Sequence, residues 1–195
     1  MDQERPAAPK NALPAVVADR QLGLRIFFAS LCALFIATIA AVLLTRAQSE
    51  SWPSERLVEL RPALFVSTLL LGLTSFAFVR AEAAIKLNRE RGLLYWLWAA
   101  GGFAFLFLFT QSLNLARAWQ AAGALKNLYA FTFTLLTGVH GLHVLGGFVP
   151  LALVIRGARR HEYSSSNSYG VQFCAQYWHF IGVVWLFILL VLFTG

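Results

Sequence analysis

Five long apolar runs, divided by charged connections, set what this chain can fold into: residues 24–44, 63–79, 93–113, 128–155 and 171–193. Crossing roughly 30 Å of hydrocarbon takes about 20 apolar helical residues. The second run is the shortest, and the fourth is long enough to tilt or to project beyond a bilayer. With 58% hydrophobic residues, only 13% charged and a mean hydropathy of +0.64, a soluble domain is excluded. The pattern predicts an all-α integral membrane protein: a five-helix transmembrane bundle over residues 23–195, preceded by a disordered cytoplasmic tail at 1–22. That tail is polar, and the run after it is too long and lacks a small-residue cleavage site, so it does not read as a signal peptide.

Positive charge orients the chain. Arg5, Lys10, Arg20 and Arg25 precede the first run, Arg80, Lys86, Arg89 and Arg91 join the second to the third, and Arg156, Arg159 and Arg160 join the fourth to the fifth. Only Arg46, Arg56, Arg61, Arg117 and Lys126 lie on the other side. The bias places the N-terminus in the cytoplasm and the C-terminus outside. The net charge of +7 is thus a topology signal. Nucleic-acid binding would need a folded basic surface, and no soluble domain is present to carry one. Glu82 and Lys86, spaced i, i+4, suggest that the second helix runs on through AEAAIKLNRE. Ser164–Gly170 reads as a turn-forming loop. Trp52-Pro53 and Trp119 suit interface anchors.

His140, His143 and His179 lie inside apolar runs. An ionisable residue at membrane depth is a functional suspect by default. Yet all the acids, Asp2, Glu4, Asp19, Glu50, Glu55, Glu59, Glu82, Glu90 and Glu162, fall outside the runs. Three roles are open. Neutral imidazoles can hydrogen-bond between helices, with Thr137, Gln111, Gln176 or a backbone carbonyl as partner. They can ligate haem or a metal, since imidazole suits iron and copper. They can pass protons. The first fits best, because no carboxylate or thiolate is placed to complete a metal site or relay. By depth, His143 and His179 could be neighbours across a helix pair. Cys32 and Cys174 belong to no close-spaced ligand motif and read as buried apolar residues. Gly101, Gly102, Gly138, Gly141, Gly146, Gly147 and Gly182 mark places where helices can approach closely. Phe103–Phe109 shows no polar face and suits lipid or a large apolar partner.

The segment TGVHGLHVLGG, Thr137–Gly147, followed one span later by YWHF, Tyr177–Phe180, and VVW, Val183–Trp185, resembles subunit III of the haem-copper oxidases. Weaker similarity runs through LGLRIFFAS, LFVSTLLLGLTS and FLFTQSLN, so the resemblance covers about 22–193. Its motif residues here are Gln111, His140, Gly141, His143, Gly147, Tyr177, Trp178, His179, Phe180 and Trp185. The five spans resemble the short form of that subunit in quinol oxidases and some bacterial cytochrome oxidases. Acids of the family pattern are replaced: Leu31, Asn114, Gln172 and Gly182 stand where it has carboxylates.

The resemblance implies a non-catalytic accessory subunit of a respiratory terminal oxidase in a bacterial inner membrane. It has no catalytic residue, metal or cofactor of its own. Haem and copper reside in the partner subunits, O₂ is reduced by subunit I, and subunit II and other small subunits complete the complex. Structural phospholipid is expected, with Arg25, Arg80, Arg156, Arg159 and His161 as headgroup candidates. Loss of the acids leaves two alternatives: a subunit III-like component beside a nitric oxide reductase, or a small haem b membrane protein.

Overall fold

The computed structural model describes residues 12–48, 61–122 and 128–193. Five α-helices account for nearly all of them: α1 (Ala12–Ala47), α2 (Arg61–Lys86), α3 (Glu90–Ala122), α4 (Leu128–Arg159) and α5 (Tyr169–Phe193). Among the described residues there is no strand. Each helix contains a segment long and apolar enough to cross a membrane. The helices outrun the apolar runs, because backbone hydrogen bonding continues where side-chain polarity changes. Thus α1 begins at Ala12, inside the segment expected as a tail. Residues 1–11 and the Trp52-Pro53 pair lie outside the described residues, as does the Trp119 side chain.

The chain divides into two compact units, 1–41 and 42–195. Within the first, α1 is a continuous helix whose hydroxyls fold back on their own backbone: Ser30 Oγ donates to Ile26 O at 2.9 Å and Thr38 Oγ1 to Leu34 O at 2.8 Å. Cys32 is exposed there, against expectation, whereas Cys174 on α5 is buried. A cysteine on a lone apolar helix meets no core within its own unit.

In the second unit α2, α3, α4 and α5 form an antiparallel bundle. Its contacts follow the order α2–α3, α3–α4, α4–α5 and α5–α2. Each helix turns one stripe inward. On α3 the stripe is Leu93, Leu97, Ala100, Ala104, Phe107, Gln111 and Asn114, all buried, at the three- and four-residue spacing of one helix face. The aromatic stretch of α3 is therefore two-sided: Phe107 is in the core, while Phe105 and Phe109 face outward.

One end of the bundle carries the α2–α3 turn and the α4–α5 loop, and is called the basic end below. α2 does not run on through AEAAIKLNRE. It stops at Lys86, where Asn88 takes a left-handed conformation (φ 50°). Arg89 N–H reaches Ala84 O at 2.9 Å and Asn88 N–H reaches Ile85 O at 2.9 Å, the paired bonds of a Schellman cap. α4 ends the same way: His161 has φ 58°, Glu162 N–H donates to Gly157 O at 3.1 Å, and His161 N–H to Ala158 O at 3.2 Å. Glycine is usual at such positions. Asn and His tolerate them better than most residues and bring side chains that glycine lacks.

Those two side chains clasp the opposite connection. Asn88 Oδ1 accepts from Ser165 N–H at 2.8 Å, and Asn88 Nδ2 donates to Ser165 Oγ at 3.2 Å. His161 Nδ1 meets Glu90 Oε2 at 2.6 Å. Tyr163 fills the space between α4 and α5. A Cβ on Gly157 would come within 2.8 Å of its ring, and one on Gly170 within 2.7 Å of its hydroxyl. Burial pushes the Tyr163 phenol above its usual range, and the Glu162 carboxylate adds to the shift.

Candidate functional site

The motif residues gather at the α4–α5 junction, and glycine makes the junction possible. A Cβ on Gly147 would lie 2.9 Å from both Trp178 Cζ2 and Tyr177 Cε1, closer than real Cβ contacts allow. Its absence lets the two rings lie against the α4 backbone. Tyr177 Oη then donates to His143 O at 2.8 Å, one turn before Gly147. Trp178 is buried between Phe78 of α2 (centroids 6.0 Å, interplanar 21°) and Phe148 of α4 (5.7 Å, 88°). With little hydrophobic drive between helices in lipid, such packing supplies much of the cohesion.

The three histidines go to three different places. His140 is 1% exposed; its ring lies 5.8 Å from Phe107 and 5.3 Å from Trp185, joining α3, α4 and α5 by ring contacts. His143 Nδ1 lies 2.8 Å from Val139 O of its own helix. His179 Nδ1 lies 2.9 Å from Ser75 Oγ of α2. Nearly two turns farther along α5, Trp185 Nε1 donates to Thr68 Oγ1 at 3.1 Å. The two histidine bonds tie His143 to α4's own backbone and His179 to α2. Of the partners expected from sequence, a backbone carbonyl serves His143. Gln176 is exposed, and Thr137 Oγ1 donates to Phe133 O at 2.6 Å. Sequence reasoning missed Ser75 and Thr68. Their only signal was a hydroxyl on the inward stripe of α2.

Gly141 is unstrained, its notional Cβ lying 4.0 Å from Leu108. Phe180 is half-buried. Among the described residues no three His, Cys, Asp or Glu side chains come together. Gln111 is 7% and Asn114 1% exposed. Both Gln111 side-chain polar atoms and Asn114 Nδ2 are buried without a protein hydrogen-bond partner.

A second feature lies between α3 and α4 at the basic end. A groove of about 760 Å³ is walled by Trp98, Phe105, Phe148, Leu151 and Ile155, and it ends at Arg156, Arg159 and Arg160. A Cβ on Gly102 would meet nothing within 4 Å, so this glycine opens the groove. Arg159 stacks over Trp98 at 5.3 Å. Of the headgroup candidates from sequence, Arg156 and Arg159 line this groove. Arg80 instead lies over Trp96 at 5.5 Å, His161 is held by Glu90, and Arg25 belongs to α1 in the other unit. Arg160 was missed, though it adjoins Arg159 in sequence.

The family model for cytochrome c oxidase subunit III matches residues 14–194. The chain belongs to that family. It is 34% identical over 177 residues to the cytochrome c oxidase subunit 3 of Synechocystis sp., a match spanning 89% of this chain and 75% of the relative. It is also 34% identical over 176 residues to that of Thermostichus vulcanus, over 89% of this chain and 86% of the relative. The protein of the same name from Arabidopsis thaliana is 34% identical over 142 residues, but there the match spans 52% of the relative's length. Membership and the five apolar helices make this a multi-pass membrane protein of a haem-copper oxidase complex.

Proposed function

We propose that this chain is the accessory subunit III of a respiratory terminal oxidase in a bacterial inner membrane. It packs against and stabilises the catalytic subunit I and binds phospholipid. Haem, copper and the reduction of O₂ belong to the partner subunits. The basic end of the bundle faces the cytoplasm, following the positive charge on its connections, and so does the N-terminus. The oxidase reading, rather than one beside a nitric oxide reductase or as a separate haem protein, is supported by relatives that carry the oxidase name.

The observation that carries lipid binding is the α3–α4 groove. It is apolar along its length and cationic at one end, matching an acyl chain below and a phosphate above. The Arg159 guanidinium is held over Trp98. In contrast, Arg160 is drawn toward Glu162 at 3.9 Å, a weak exposed pair.

The test is purification from native membranes in mild detergent. The expected result is co-purification with a large subunit showing the absorption bands of a haem-copper oxidase, and loss of assembled oxidase when the chain is deleted. A chain that purifies with stoichiometric haem of its own, or with a nitric oxide reductase, overturns the reading. Gly102→Leu, which fills the groove, should lower the phospholipid retained by the purified complex.

A further inference from the structure

The largest departure from good bundle design lies on the inward face of α3, beyond the histidines. Gln111 and Asn114 are spaced i, i+3 and are at least nine-tenths buried. Three of their side-chain polar atoms, Gln111 Oε1, Gln111 Nε2 and Asn114 Nδ2, have no protein partner. Buried polar groups in native proteins are almost always hydrogen-bonded, and leaving them bare is most costly where hydrocarbon replaces water.

The surrounding protein leaves these atoms unbonded. A carboxamide offers two donors and two acceptor positions, so a Gln111–Asn114 contact would leave donors over. The α3–α4 register is fixed by Phe107 against His140 and Leu108 against Gly141. Continued along both helices, it sets Gln111 level with Thr137 and Asn114 level with Phe133. Thr137 already donates to Phe133 O and has only acceptor capacity to offer. The neighbouring hydroxyls of Thr110 and Ser112 are turned to Leu106 O and Leu108 O. What is needed is a small group that both accepts and donates.

We propose that Gln111 and Asn114 form a binding site for ordered water inside the bundle, between α3 and α4 on the side remote from the basic end. Water both donates and accepts and is bound inside proteins where several polar groups converge. It also has a short way in. Gln111 stands six residues from Arg117, a rise of about 9 Å, so the site lies near one polar boundary of the span and not at its centre. The residue types agree. An amide holds water without adding a titratable group. The site is independent of lipid binding and of the partner's identity.

Solid-state NMR of the full chain in lipid bilayers tests this. The side-chain NH₂ groups of Gln111 and Asn114, assigned by their loss in Gln111→Leu and Asn114→Leu, are expected to receive magnetisation from water. They should also exchange with deuterium at least tenfold faster than the Val144 backbone amide, which is fully buried on α4. In Gln111→Leu the water contact of Asn114 should weaken, because the water is shared. Absence of water transfer to both wild-type amides, with exchange as slow as Val144, overturns the proposal and assigns them to direct protein bonds. An Asn114 signal unchanged in Gln111→Leu overturns the shared site.

Discussion

The two ends of the four-helix core use different means to hold helices together. Toward the basic end the core is aromatic and close-packed: Trp178 sits between Phe78 and Phe148, and Gly147 lets Tyr177 and Trp178 touch the α4 backbone. Toward the opposite end the same inward stripes carry Ser67, Gln111, Asn114, Thr132 and Thr137. His140, ringed by Phe107 and Trp185, lies where the two regimes meet. A packed aromatic core resists any change of volume. A polar core tolerates changes of shape but depends on its hydrogen bonds. The difference teaches that His140 lies at the border between an aromatic half of the core and a more polar one.

The comparison can be broken most decisively at Trp178. Trp178→Ala should destabilise the bundle by about 3–5 kcal/mol, read as the midpoint of unfolding in mixed detergent micelles. A loss under about 1 kcal/mol would mean that the aromatic half is loosely packed. Next, Gly147→Ala adds one methyl group against two ring edges and should cost about 1–3 kcal/mol. Gly102→Ala, facing open space, is the control and should be nearly neutral.

The polar half should behave oppositely. The double variant Gln111→Leu/Asn114→Leu removes buried polar groups together and should be neutral or mildly stabilising. A loss as large as that of Gly147→Ala would show that the amides are fully bonded and essential. At the α2–α5 contact, Ser75→Ala removes one bond to His179 and should cost about 0.6 kcal/mol, the typical value for such bonds in membrane bundles. Smallest of all, Glu90→Gln at the exposed clasp to His161 should change stability by less than about 1 kcal/mol, with the effect fading as salt is raised.

Much of this was legible in the residues. Hydrophobic runs long enough to span a bilayer leave the backbone one solution, a helix, because no water is present to take its hydrogen bonds. HGLHVLGG and YWHF carried the family resemblance, but that Gly147 lies against the Tyr177 and Trp178 rings came only from the structure. The partners of the histidines were not legible. Ser75 lies far from His179 in sequence, and any of several hydroxyls or amides could have served. The break at Asn88 was hidden too. AEAAIKLNRE is helical by propensity, yet at Asn88 the backbone turns left-handed, and its side chain exchanges hydrogen bonds with Ser165.

The sequence by itself determined five membrane-length helices, because these follow from composition and spacing along one chain, and its motifs carried the resemblance to the family; the junction of α4 with α5 came from the structure. Only the tertiary structure decided that His140 meets rings, His143 its own helix and His179 a serine. The tertiary structure alone also brought Arg160 into one groove with Arg156 and Arg159, and left both Gln111 side-chain polar atoms and Asn114 Nδ2 buried without a protein hydrogen-bond partner. Those outcomes depend on the rotation of each helix about its axis. That rotation is set by the packing of all four helices together, and no single run of residues contains it.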